Sequence, residues 1–160
     1  MPDAAIVKVE DAFANLLRAA TDAGRPLEGW TVITAQSTDE KIEPDKWPAL
    51  PIYTTAYEVE PFDGQDEHLH TATLEFEFIS GKSALGPISR RNQNAIATAQ
   101  GVIARDRVLG GMLQLCEEVD VAPATPNGKD VGSASIQYRV QFITPRDDWF
   151  TIRGQGGTDF

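Results

Sequence analysis

The stretch Leu69-His70-Thr71-Ala72-Thr73-Leu74-Glu75-Phe76-Glu77-Phe78-Ile79-Ser80 decides the fold. Ala72, Leu74, Phe76 and Phe78 fall on one side of an extended chain, and Thr71, Thr73, Glu75 and Glu77 fall on the other. A strand with one apolar and one polar face belongs in an antiparallel sheet covered by helices on a single side. A second stretch repeats the pattern: Ile136, Tyr138, Val140 and Phe142 alternate with Ser135, Gln137, Arg139 and Gln141.

Three further segments read as strands. Residues 30–36, Trp30-Thr31-Val32-Ile33-Thr34-Ala35-Gln36, and residues 52–59, Ile52 to Val59, are rich in β-branched and aromatic side chains. Met112 to Val121 is the remaining candidate. Two segments read as helices. Ile6, Val9, Phe13, Leu16, Leu17 and Ala20 form one apolar stripe, with Asp3 placed to cap its start and Gly24-Arg25-Pro26 to stop it. Ile88, Asn92, Ala95, Ala99, Val102, Ile103 and Asp106 form the second stripe, opened by Pro87 and closed by Gly110-Gly111. The order helix, three strands, helix, two strands excludes a doubly wound parallel sheet. It predicts an α+β fold: a mostly antiparallel sheet of about five strands with two amphipathic helices packed on one face.

Residues 37–51 contain Pro44, Pro48 and Pro51 among charged residues and are expected to form a loop. Trp47 sits within it, either tucked onto the core or marking a contact surface. Residues 1–148 are expected to form one domain, and residues 149–160 an arm ending in a flexible glycine-rich tail.

The chain has 160 residues, of which 41% are hydrophobic and 24% charged, which excludes a disordered or fibrous chain. Its 14 Lys and Arg against 24 Asp and Glu leave a net charge of −10. Non-specific grip on nucleic acid needs an excess of cations, and so does a polybasic membrane patch. Neither is present. The N-terminus carries Asp3, Glu10 and Asp11 with no apolar run like that of a secretory signal. A soluble protein used inside a cell is the expectation.

Candidate chemistry is sparse. Cys116, the only cysteine, lies in Met112-Leu113-Gln114-Leu115-Cys116 and reads as a small buried hydrophobe. Alternation puts His68 and His70 on one face of a strand, a geometry that metal sites use. No second histidine-bearing segment completes such a site, and the pair opens its strand after an acidic turn, where exposed polar residues are expected. Glu75 and Glu77, and likewise Glu117 and Glu118, read as solvated. No catalytic, cofactor-binding or metal-ligating set is predicted, so double replacement of His68 and His70 by alanine is expected to leave folding and function intact. A chain with strong elements and no convergent catalytic set is expected to work through its surfaces.

The order and texture of these elements resemble a known family. The residues that carry the resemblance are Leu50-Pro51-Ile52-Tyr53-Thr54-Thr55-Ala56-Tyr57-Glu58-Val59, Thr73-Leu74-Glu75-Phe76-Glu77-Phe78, Asp106-Arg107-Val108-Leu109-Gly110-Gly111 and residues 132–144. Together with the N-terminal helix they are similar to the tail terminator proteins of long-tailed phages, the minor tail protein U-like group, over residues 4–148. The resemblance implies a structural protein with no enzymatic activity and no cofactor. It implies a homo-hexameric ring at the head-proximal end of the virion tail, assembled in the host cytoplasm. The ring stops addition of tail tube protein and offers a surface to a head-completion or connector protein. DNA would pass through without specific binding, consistent with six copies of a −10 chain. Two alternatives remain open at this stage: another neck, tail-completion or tube-like subunit, and a small metal-dependent enzyme using His68 and His70.

Within this reading Trp47, Asp147, Asp148, Trp149, Phe150 and Ile152 are the candidate interface residues. Aromatic side chains flanked by charge suit an interface anchor with a polar rim, so residues 147–152 are expected to dock on a neighbouring subunit or on the tail tube, the alternative being that they fold back over the edge of their own sheet. Deleting residues 147–160 is expected to leave a folded body that no longer assembles.

Overall fold

The computed structural model describes residues 2–34, 47–64, 66–81, 87–126 and 131–160. Helix α1 (Ala5–Arg18) is followed by β1 (Thr31–Ile33), β2 (Ala49–Phe62), β3 (Glu67–Gly81), α2 (Ile88–Ala104), β4 (Leu115–Pro126) and β5 (Val131–Pro145). The five strands form one sheet in the order β1-β2-β3-β5-β4. Only β1 and β2 run parallel; every other pair is antiparallel. The expected α+β architecture is the observed one.

Burial follows parity along the two central strands. Leu74, Phe76 and Phe78 on β3 and Ile136, Tyr138, Val140 and Phe142 on β5 are buried beneath the helices. Phe76 lies edge-on to Phe13 of α1, ring centroids 5.3 Å apart, and to Tyr138 at 5.4 Å. The alanines of α2 bring its backbone close to the sheet: Ala95 and Ala99 are buried, and so is Asn92. Asn92 is satisfied there, since its Oδ1 accepts from Ser80 Oγ at 2.6 Å and its Nδ2 donates to Gly132 O at 3.0 Å.

Several boundaries differ from expectation, each for a physical reason. Asp3 does not cap α1; Ala4 occupies the cap position without a side-chain bond. The first helical amide is satisfied instead from far along the chain, Ala5 N donating to Trp149 O at 2.8 Å. Pro87 lies one position before α2, at its cap. Met112 and Leu113 are not yet in β4. They are buried in the preceding turn, where Leu109, Gly110 and Gly111 all have positive φ and Leu113 N bonds to Val108 O at 2.9 Å. Ala49, Leu50 and Pro51, assigned to a loop by their prolines, open β2. Pro123, read as turn chemistry, lies within β4. An outer strand tolerates proline because its outward amides have no ladder partner. Gln36 and the loop residues before Trp47 fall outside the described residues.

The sheet is longer than its helical cover. At the end where Glu67 pairs with Pro145, β2 runs past the helices and past β1, which reaches only Pro51. The second half of β2, from Ala56 to Phe62, is therefore exposed at nearly every position. This overhanging end, called the far end below, carries the candidate site.

Candidate functional site

The segment after β5 builds the far end. Arg146 N donates to Asp66 O at 2.9 Å, tying the segment to the β2–β3 turn. Asp148 Oδ1 then accepts from Phe150 N at 2.9 Å, a local Asx turn. Two carbonyls of this turn hold α1: Trp149 O accepts from Ala5 N, and Phe150 O accepts from Lys8 Nζ at 2.6 Å. Beyond it, Ile152 is fully buried and pairs with Phe160 through two backbone bonds of 3.0 and 2.8 Å.

The glycine-rich tail is thus not a loose end, in contrast to the sequence expectation. It closes a small loop through Gly154 N to Thr158 O at 2.7 Å, and Gln155 N reaches Gly111 O at the same distance. Gly154 is required there: a Cβ would lie 2.3 Å from the Phe160 ring and 2.8 Å from two carbonyl oxygens. Arg153 pairs with Glu67 at 3.1 Å. The segment folds over its own subunit, leaving Trp149 44% and Phe150 45% exposed.

The histidines lie beneath Trp149. His68 Nδ1 accepts from the indole Nε1 at 3.0 Å, and the Trp149 ring stands edge-on to His70 with centroids 5.0 Å apart. His70 is fully buried rather than exposed, stacked on Phe142 at 4.7 Å. Its Nδ1 lies 2.6 Å from Tyr57 Oη and its Nε2 lies 2.8 Å from Thr144 Oγ1. Thr144 donates its own hydroxyl to Pro145 O at 3.1 Å, so it accepts from His70 Nε2–H, and Tyr57 donates to Nδ1. Burial, with a smaller contribution from His68, pushes the His70 pKa down to about 4. The two rings share a face as expected, but both nitrogens of His70 and Nδ1 of His68 are engaged. Among the described residues no group of three His, Cys, Asp or Glu is placed to hold a metal ion.

Tyr57 completes the surface at 37% exposure, its ring 5.7 Å from His70. The sequence reading did not single it out. Its signal lies in register, since Tyr57 pairs with Ala72 and points to the same side as the core positions of β3. Tyr57 and Trp149 are joined through His70, and Phe150, whose backbone is fixed by Asp148 and Lys8, adds a third exposed aromatic next to Trp149 in the chain. Beside this aromatic surface Asp66, Arg146 and Asp147 are exposed, while Glu58 and Glu60, of opposite parity to Tyr57, project from the helix-free face.

The remaining candidates lie apart. Trp47 is half-buried just before β2, and its buried indole nitrogen has no hydrogen-bond partner among the described residues. Cys116 is buried, and burial raises its thiol to about 11, so it is no nucleophile at neutral pH. On the helix-free face Glu75 and Glu77 are half-buried, not freely solvated. Tyr53 Oη donates between them, bonding to Glu75 Oε2 and lying 2.9 Å from Glu77 Oε2. Gln137 Nε2 supports Glu75 Oε1 at 3.2 Å. Burial raises the Glu77 carboxyl and holds the Tyr53 phenol far above its ordinary range. With their hydrogen-bonding capacity turned on each other, these groups serve as a cross-strand clamp.

No protein-family model matches the chain, and no characterised protein matches it significantly.

Proposed function

We propose that this chain is a structural subunit that assembles as a ring on the finished tail tube of a long-tailed phage, stops tube growth and presents a surface for joining the head. The observation that carries the reading is the preorganised aromatic surface at the far end. Tyr57, Trp149 and Phe150 remain substantially exposed although the surrounding backbone and side-chain bonds fix their positions. Rigid aromatic side chains with a charged rim are what protein interfaces use as anchors, because little conformational freedom is lost on contact. An acidic chain also suits a ring through which DNA must slide without adhering. The resemblance in order and texture over residues 4–148 supplies the particular assembly, and the α+β fold agrees with it.

The test is electron microscopy of particles made without this protein. Tails of abnormal and variable length, restored to uniform length by the wild-type chain, are expected. Tails of normal length would overturn the reading.

A further inference from the structure

Trp149, exposed over much of its surface at the far end, is held by a bond that tolerates only one charge state of its partner. Its indole Nε1 donates to His68 Nδ1 at 3.0 Å, and the two rings stand edge to face with centroids 5.7 Å apart. An indole nitrogen donates and does not accept. His68 Nδ1 must therefore present a lone pair, which only the neutral ring with its proton on Nε2 can do. A proton added at Nδ1 turns the acceptor into a second donor and sets two N–H groups against each other. Histidine is the residue type whose ordinary charge change falls between about pH 5 and 8.

The other anchors of the far end do not share this sensitivity. Ala5 N and Trp149 O are backbone groups. Thr151 and the Phe150 amide hold the Asp148 carboxyl below its ordinary range, so it stays ionised across that interval. His70, depressed by burial to about 4, stays neutral there and keeps its bond to Tyr57. The charged neighbours of His68 offer it nothing in exchange. Asp66 and Glu67 precede it in the chain, Arg146, Asp147 and Asp148 lie in the segment after β5, and Asp3 and Lys8 flank the first turn of α1. Its pairing partners, Pro61 on β2 and Thr144 on β5, carry no charge. Glu67 is taken by Arg153, and among the described residues no carboxylate lies within ion-pair distance of His68.

We propose that His68 is a pH-responsive latch on the aromatic surface: neutral, it fixes the Trp149 ring, and on taking up a proton it releases that ring while Tyr57 and the backbone of the segment stay in place. A contact made through Trp149 is thus preorganised above the His68 transition and loses that preorganisation as pH falls through it. This bearing on assembly rests on the ring reading; the latch itself does not.

The test is an NMR titration of the full-length, 15N-labelled chain from about pH 8 to about pH 5. Trp149→Phe identifies the Trp149 indole resonance, and His68→Asn identifies the His68 ring. The indole Nε1–H signal is expected to move with the same midpoint as the His68 ring protons. Cross-relaxation between the Trp149 and His70 rings, whose centroids lie 5.0 Å apart, is expected to be lost on the acid side. In His68→Asn the amide oxygen accepts in place of Nδ1 and does not titrate, so Trp149 should stay anchored throughout. A Trp149 ring that keeps its contacts to His70 after His68 is protonated would overturn the latch, as would the same transition persisting in His68→Asn. The wild-type titration decides alone if that variant does not fold. Tail length in particles lacking the protein judges the ring reading separately in every case.

Discussion

Deleting residues 147–160 is expected to unfold the subunit, not merely to disarm it. The segment buries Ile152 completely, a side chain whose removal from the core forfeits about 1.5–3 kcal/mol. It also supplies Trp149 O to Ala5 N, Phe150 O to Lys8 Nζ, and the Gln155 bonds to Gly111 O and Leu113 O. At a net ~1 kcal/mol each, these contribute about 4 kcal/mol more. The sum, on the order of 5–7 kcal/mol, rivals the whole stability of many domains, which is about 5–15 kcal/mol. Urea unfolding followed by circular dichroism measures it, with Trp149→Ala as the companion variant. That side chain is 44% exposed, so its loss should cost only about 1–2 kcal/mol and leave a folded protein for assembly assays. A truncated chain whose unfolding free energy lies within ~1 kcal/mol of the full chain would refute the reasoning. It would also restore the sequence expectation of an arm needed for assembly but not for folding.

Phe76→Ala should cost on the order of 3–5 kcal/mol, read as a lower urea midpoint with an unchanged slope, because the ring is fully buried between Phe13 and Tyr138. Asn92→Ala leaves Gly132 O and the Ser80 hydroxyl without their buried partner and should cost about 1–3 kcal/mol, with Asn92→Asp no better, since it keeps the acceptor but loses the donor. Replacing His68 and His70 together by alanine should destabilise the fold, contrary to the sequence expectation, because Tyr57 and Thr144 lose the ring that joins them; an unchanged unfolding midpoint would contradict this. The His70 pKa is depressed to about 4, below an unfolded value of about 6.5, so the unfolded chain binds more protons between those limits. The His70 contribution to stability is therefore fully present above pH ~6.5 and is lost as pH falls through about 4, which a pH series of wild type against His70→Gln should show as a smaller acid dependence in the variant.

The central strands were legible because one face of the sheet is covered and the other is not. That asymmetry is what writes a two-residue period into β3 and β5. The start of β4 misled because Met112 and Leu113 are apolar for a different reason: they fill the core from a turn made possible by positive φ at Leu109, Gly110 and Gly111. Asp3 looked like a cap because local sequence cannot announce that Trp149 O will arrive from the other end of the chain. At the candidate site, Trp149 and Phe150 stood out as aromatics with no strand to belong to. Ile152 belonged with them in sequence but not in space, since its fate depends on a backbone pairing with Phe160. The burial of His70 did leave a trace. It shares parity with Ala72, Leu74, Phe76 and Phe78, and that parity outweighed the acidic turn before it.

The junction of Trp149 and Phe150 with α1 also sets an order in time. Lys8 waits for a carbonyl 142 residues further along the chain, so during synthesis the first helix emerges long before the groups that complete its end. Contacts of such long sequence separation form late, because the intervening chain must first be closed into a loop. An unfinished chain on the ribosome therefore has no anchored Trp149. The exposed Trp149–Phe150 surface thus exists only in a chain made through to this segment and folded, so any contact that depends on it excludes partial products.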